Sequence, residues 1–292
     1  MAIIYSNYAF DLRSFDLSIL VNNYYSDTFN DDIDYVFEGV TYADTYEIMT
    51  LDDYYETYTF AGSAFSDSGT AVTGTATAMM GAIYDGDEWL DIFWATSISI
   101  ALSDITDASL TSSTTDDYAL FNAEFTGADS FYLSGYADYV DGRDGNDAIY
   151  GYAGADTLVG NTGADTLTGG AGKDALSGGA GNDRFIFGSA SESSKTAATA
   201  DKNSDFSRGA DKINLSGIYA FTTSGTNDTF VWKGTAAFDS TSKGEVRYEK
   251  FDNRGTSNDY TMVWIDTDAD TDVEMAIRLT GLYSLTSSDF FL

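Results

Sequence analysis

The chain has 292 residues, enough for two or three domains, and sets 47 acidic against 14 basic side chains, a net charge of −33. That balance excludes nucleic acid as a partner, because phosphates would find almost nothing to neutralise them. The absence of Cys and His removes disulfides, thiolate chemistry, the commonest general base and the usual zinc ligand. An acidic chain stays disordered unless it can bury apolar surface, and 43% hydrophobic with 15% aromatic residues places this one among folded proteins. Proline is also absent, so slow X-Pro isomerisation cannot delay folding. The opening MAIIYSNYAFDLRSFD lacks the basic start and apolar core of a secretory signal peptide. No apolar run approaches the roughly 20 residues that span a membrane.

Charge divides the chain: residues 1–141 hold 25 acids against the single base Arg13, and residues 142–292 hold 22 against 13. Residues 1–128 read as an acidic, tyrosine-rich antiparallel β module. DIDYVFEGV, TYEIMT, YETYTFAG, WLDIFWATSISIAL and ALFNAEF mix period-two alternation with β-branched and aromatic residues. FDLRSFDLSILVNN fits strand or helix. SGTAVTGTATAMMGAIYDG, all small residues and evenly placed glycines, suits close sheet packing or a tight repeat turn. Three features invite chemistry. Asp85, Asp87, Glu88 and Asp91 surround Trp89 and Trp94, as in a carboxylate pair beside a sugar-stacking ring; a hairpin turn feeding a buried strand explains them more simply. The groups Asp31, Asp32, Asp34 and Asp52, Asp53, Glu56 suit either further cations or a solvated acidic face. Sixteen tyrosines within residues 1–150 offer a contact surface, although core and cross-strand pairing accounts for them equally well. No G-x-S-x-G elbow, phosphate loop or dinucleotide fingerprint is present.

From Gly142 the chain repeats every nine residues: GRDGNDAIY, GYAGADTLV, GNTGADTLT, GGAGKDALS and GGAGNDRFI. Positions one and four are Gly, position six is Asp, and position eight is apolar. The phase extends upstream, so that Asp129, Asp138, Asp147, Asp156, Asp165, Asp174 and Asp183 stand at strict spacing. Six residues make a glycine-dependent turn and three make a short strand whose central apolar residue points inward. Two units form one coil of a parallel β-roll, which brings carboxylates 18 residues apart together: Asp129/Asp147, Asp138/Asp156, Asp147/Asp165, Asp156/Asp174 and Asp165/Asp183. Unfilled, such a row repels itself; calcium, taking six to eight oxygens, suits it. The turn residues Gly142, Asp144, Gly151, Gly160, Gly169, Gly170, Gly178 and Gly179 complete the candidate ligand set. Upstream the pattern decays, with Arg143 and Tyr152 at position two and Leu133 and Tyr136 in place of glycines. Those units read as a cap with weaker sites.

These units resemble the RTX repeats of calcium-binding proteins secreted by Gram-negative bacteria. NDRFIFGSASES, SDFSRGADKINLSGI, GEVRYEKFDN and TMVWIDTDADTDVEMAIRLTGLYSLTSSDFFL are similar to the C-terminal domain of serralysin-type metalloproteases. The resemblance implies a roll over 129–187 and a β-rich C-terminal secretion domain over 188–292. It also implies an uncleaved signal for type I secretion, with Asp289-Phe290-Phe291-Leu292 as its tip. Asp266, Asp268, Asp270 and Asp272 alternate along DTDADTD, as in an acidic loop of that domain. They make either a further calcium loop or a solvated hairpin turn; Thr271 and Ile277 rule out an EF-hand. The proteases' zinc-binding histidines have no counterpart, so proteolysis is not implied.

The expected protein is therefore all-β, extracellular or at the cell surface, non-enzymatic and calcium-folded. The module 1–128 would contact copies of itself in a homo-oligomer or polymer such as a layer, filament or adhesin, or a cell-surface polysaccharide. The alternatives are an Asp/Glu enzyme acting on polysaccharide, with Asp87, Glu88 and Glu124 as first candidates, and a soluble extracellular binder.

Overall fold

The computed structural model describes residues 125–292, apart from 222–226, 240–242, 254–257 and 269, together with the backbone of eight strands in the first 124 residues. The chain forms two units, Met1–Leu133 and Ser134–Leu292.

In the first unit, antiparallel pairing runs in the order Tyr24–Asn30, Asp44–Thr50, Glu56–Asp67, Val72–Tyr84, Trp89–Ala101, Ile3–Ser6. Ser130–Tyr132 adds in parallel to Ile3–Ser6, and Tyr35–Phe37 makes a hairpin with Val40–Tyr42. The expected antiparallel module is present. Its small-residue segment is a strand rather than a repeat turn: Val72–Tyr84 is paired on both edges, with register shifts on both sides. Such bulges let long strands coil. Asp31, Asp32, Asp34, Asp52, Asp53, Asp85, Asp87, Glu88 and Glu124 lie outside the described residues, as do segments 10–23 and 119–124.

The second unit is a roll of two parallel stacks. One holds Ala148–Tyr150, Thr166–Thr168, Arg184–Ile186, Lys212–Asn214 and Phe290–Phe291. The other holds Tyr139–Asp141, Thr157–Val159, Ala175–Ser177, Asp201–Asn203 and Met275–Thr280. Antiparallel Tyr260–Asp266 and Glu245–Phe251 extend the second stack. Period two within a three-residue strand puts its middle residue on one face. The middle residues Ile149, Leu167, Phe185 and Ile213, with Phe290 in register, line one stack, and Val140, Leu158 and Leu176, with the strand-end Asn203 in register, line the other, all buried. The inward residue of every repeat is thus the apolar one at position eight. No helix among the described residues is long and apolar enough to cross a membrane.

Candidate metal centre

Between strands, the chain turns through the first six residues of each repeat, and the turns stack as closely as the strands. The N–H of Thr162 donates to the Arg143 carbonyl at 2.9 Å, and Ala180 to Asn161 at 2.6 Å. This spacing excludes a side chain at position four. A Cβ on Gly163 would stand 1.5 Å from the Gly145 carbonyl oxygen, and the residue's φ of +153° lies outside the usual L-residue range. Position two is less strict. Arg143, Tyr152 and Asn161 hold positive φ of 72°, 65° and 71° there, where later repeats place Gly170 and Gly179. A non-glycine residue pays about 1 kcal/mol for that conformation.

Four position-six aspartates commit one carboxylate oxygen to the preceding coil. Oδ1 of Asp156, Asp165, Asp174 and Asp183 accepts the backbone N–H of Asp138, Asp147, Asp156 and Asp165 respectively, at 2.8–3.0 Å. Aspartates 18 residues apart are thus linked, each carboxylate accepting the backbone N–H of its partner. The other oxygen is left over. Oδ2 of Asp156, Asp165, Asp174 and Asp183 is buried without a hydrogen-bond partner. It points into the space beside the position-one glycine of its own repeat. A Cβ on Gly160 would meet Asp165 Oδ2 at 2.3 Å and the Gly178 carbonyl oxygen at 2.7 Å. Gly151 stands likewise between Asp156 Oδ2 and the Gly169 carbonyl, both at 2.5 Å. Carboxylate and carbonyl oxygens thus converge on a cradle that any side chain would fill. Buried anionic oxygens without donors are costly, and an all-oxygen set of this kind fits a hard divalent cation.

The structure places most of the anticipated ligands in this row. Asp129 is buried in the first unit, and Asp138 and Asp147 are buried in the second, as are Gly142, Gly151, Gly160, Gly169 and Gly178. Asp144 is exposed, its backbone bridged to Thr162, and Gly170 and Gly179 sit on the outer part of the turns. Asp138 differs from its successors: its Oδ2 accepts the Ser134 N–H and hydroxyl, both at 2.9 Å. Protein donors fill there the position that stays open farther along.

Two members of the row escape the nine-residue count. Asp201 Oδ1 accepts the Asp174 N–H at 2.9 Å, its Oδ2 is buried without a partner, and the residue is fully buried. Asp211 Oδ1 accepts the Asp183 N–H at 3.1 Å, while its Oδ2 takes the Ser207 N–H at 2.6 Å. Asp211 thus ends the line that runs through Asp147, Asp165 and Asp183, and Asp138 begins the line that runs through Asp156, Asp174 and Asp201, each satisfied by a serine four residues before it. The signal for Asp211 was in the sequence, since GADKI at 209–213 repeats GADTL at 154–158. Asp201 had none, because Asn203 occupies the apolar position.

Burial raises the carboxyls of Asp156, Asp165, Asp174, Asp183 and Asp201. It pushes Asp156 up to about 7, with the charges of Asp174 and Asp138 adding to it, and Asp174 to about 6, where Glu192 adds. Asp183 rises to about 6 and Asp201 to about 8, again by burial first and neighbouring carboxylates second. Raised folded values mean that the folded unit holds protons more tightly than the unfolded chain, whose carboxyls titrate near about 4. Without calcium, this contribution is whole below about pH 4 and is lost as the pH rises through the folded values of about 6 to 8. The melting temperature in chelator is therefore expected to fall between pH 5 and pH 8. Calcium should reverse the trend, because its ligands must be deprotonated. A chelated melting temperature that is flat or rises over that range would show that the row carries no such strain.

A model of the family described as Peptidase M10 serralysin C terminal matches residues 106–292. Among solved structures, the chain is similar to the AlgE6R3 subunit of the Azotobacter vinelandii mannuronan C5-epimerase, with 25% identity, 56% of this chain and 78% of that one covered, and a TM-score of 0.28. The AlgE6R2 subunit of the same epimerase is 22% identical, over 57% of this chain and 89% of that one, with a TM-score of 0.30. No curated protein sequence matches the chain.

Proposed function

We propose, for a chain that belongs to the peptidase M10 serralysin C-terminal family, a secreted calcium-binding RTX protein without enzymatic activity that folds on meeting calcium and assembles with copies of itself. One observation carries the reading. One carboxylate oxygen, Oδ2, of each of Asp156, Asp165, Asp174, Asp183 and Asp201 is buried with no donor, and the cradles of Gly151 and Gly160 set carbonyl oxygens beside two of them. Calcium, when bound, supplies the positive charge that such oxygens lack. The glycines keep the cradles open, and the Oδ1 bonds hold each carboxylate in place.

The rest follows from the charge. A chain at −33 repels itself when compact and also repels its copies. In calcium-poor cytosol the repulsion along the row leaves the roll at the edge of stability, which suits export through a type I apparatus of a Gram-negative cell. Outside, metal binding energy becomes folding energy. On this reading the roll (129–187) and the C-terminal region (188–292) serve export and calcium-triggered folding. The β module (1–128) makes the contacts at the cell surface, with further copies or with a surface polysaccharide. Strand edges that pair between copies are the assembly device.

The experiment is light scattering with negative-stain microscopy on chelated protein, before and after millimolar calcium. Ordered polymers that form only with calcium are expected. A persistent calcium-bound monomer would sink self-assembly, and cleavage of a polysaccharide by that monomer would replace this reading with an enzymatic one.

A further inference from the structure

The loop joining Tyr260–Asp266 to Met275–Thr280 holds a second acidic cluster with a geometry of its own. Asp266 is fully buried at the end of its strand, and its Oδ2 has no hydrogen-bond partner. Its Oδ1 accepts the Asp268 N–H at 3.0 Å, Asp268 Oδ1 accepts the Asp270 N–H at 2.9 Å, and Asp270 Oδ1 accepts the Asp272 N–H at 2.7 Å. This staircase turns three side chains to one place. One carboxylate oxygen each from Asp266, Asp268 and Asp270 lies within 4.8 Å of the others.

Three carboxylates that close repel one another, and burial makes the repulsion worse. Desolvation pushes the Asp266 carboxyl up to about 7, with the charges of Glu274, Asp268 and Asp270 adding to it. Oxygens on opposite sides of a calcium ion, each at about 2.3–2.6 Å, stand roughly 4.6–5.2 Å apart, so the cluster can share one. Magnesium demands near-ideal octahedral geometry and gives up its water reluctantly, so a cluster built from three protein carboxylates favours calcium. The donors are all oxygen, which disfavours softer metals.

We propose that Asp266, Asp268 and Asp270 bind a calcium ion separate from the row in the roll, and that this ion fastens the hairpin closing one of the two stacks. The hairpin's second strand pairs in parallel with Asp201–Asn203, Ile277 lying opposite Asp201. The Ser193 hydroxyl donates to the Ala276 carbonyl at 2.8 Å and accepts the Asp201 N–H at 2.8 Å. An ordered loop therefore sets Met275 and Ala276, and Ala276 helps to hold Asp201 at the end of the row. With only one of its three carboxylates fully buried, the loop site fills at higher calcium than the row.

The test is a calcium titration of the full chain by calorimetry, with hydrogen exchange read on the two hairpin strands. The double variant Asp268→Asn with Asp270→Asn changes side chains away from the stacks. It is expected to bind one calcium ion fewer and to lose calcium-dependent protection of Tyr260–Asp266 and Met275–Thr280, while the ordering of the roll persists. Equal stoichiometry and equal protection in variant and parent would overturn the loop site and leave the row intact. Asp165→Asn with Asp174→Asn gives the converse: one calcium still bound, with the hairpin protected, supports the loop site even if the row reading fails. A parent chain that binds no calcium refutes both.

Discussion

Replacing Asp165 and Asp174 together by alanine is expected to abolish calcium-induced ordering of the roll, read as the rise in β circular dichroism on titration. Two losses combine. Each substitution strips a backbone donor of its acceptor, the Asp147 N–H at 2.8 Å and the Asp156 N–H at 2.9 Å. Leaving a buried donor unsatisfied costs about 1–3 kcal/mol each. Each also removes a cradle oxygen, and because the two residues belong to successive repeats, both stacks are hit. The asparagine versions separate the two effects. Asn keeps the acceptor and discards the buried charge. Asp165→Asn with Asp174→Asn should therefore melt higher than the parent in chelator and lower in calcium. That change of sign is the signature of ligands. A pair of variants shifted the same way in both conditions would reduce the aspartates to structural caps.

Gly163→Ala is expected to destabilise the roll severely, with or without calcium. Its Cβ would overlap the Gly145 carbonyl oxygen at 1.5 Å, and backbone cannot swing aside as a side-chain tip can. Relief requires neighbouring coils to part, which breaks the turn hydrogen bonds, including the Gly163 N–H to the Ala180 carbonyl at 2.9 Å. The cost lies at the exceptional end for one substitution, about 4 kcal/mol or more, or roughly 10 °C in melting temperature. Gly209→Ala is the control. Gly209 also holds positive φ, +91°, but an added Cβ there meets nothing within 4 Å. It should lose only about 1 kcal/mol. Equal melting temperatures for the two variants would show that the turns do not stack as closely as described.

Folding and metal loading are linked here by an asymmetry within each aspartate. Oδ1 accepts a backbone N–H from the neighbouring coil, whereas Oδ2 of Asp156, Asp165, Asp174, Asp183 and Asp201 has no hydrogen-bond partner. At the start of one line and the end of the other, serine supplies the missing donor: Ser134 for Asp138 and Ser207 for Asp211. The other members, Asp201 at the end of its line included, make the chain's stability depend on something outside it.

The roll and its candidate ligands were legible in the sequence because they arise from local, repeated geometry. A six-residue turn that needs glycine at position four, a three-residue strand and an inward apolar residue write themselves as a nine-residue period. Any chain obeying that period stacks the aspartates of alternate repeats. The antiparallel character of the first module was legible for a similar reason, since alternation marks a half-buried strand. What the period could not hold was decided by pairing between distant segments. Asp201 joins the row 27 residues after Asp174 because the intervening loop is excluded from the stack and Lys202 registers on Ala175. Ser134 and Ser207 act as caps only because the folded turns bring their N–H groups to a carboxylate. Asp266, Asp268 and Asp270 converge through three successive turns on a buried strand end. Spacing alone leaves such a run open to a solvated hairpin, because burial of one carboxylate, which makes a cation worth binding, is a property of the packed sheet.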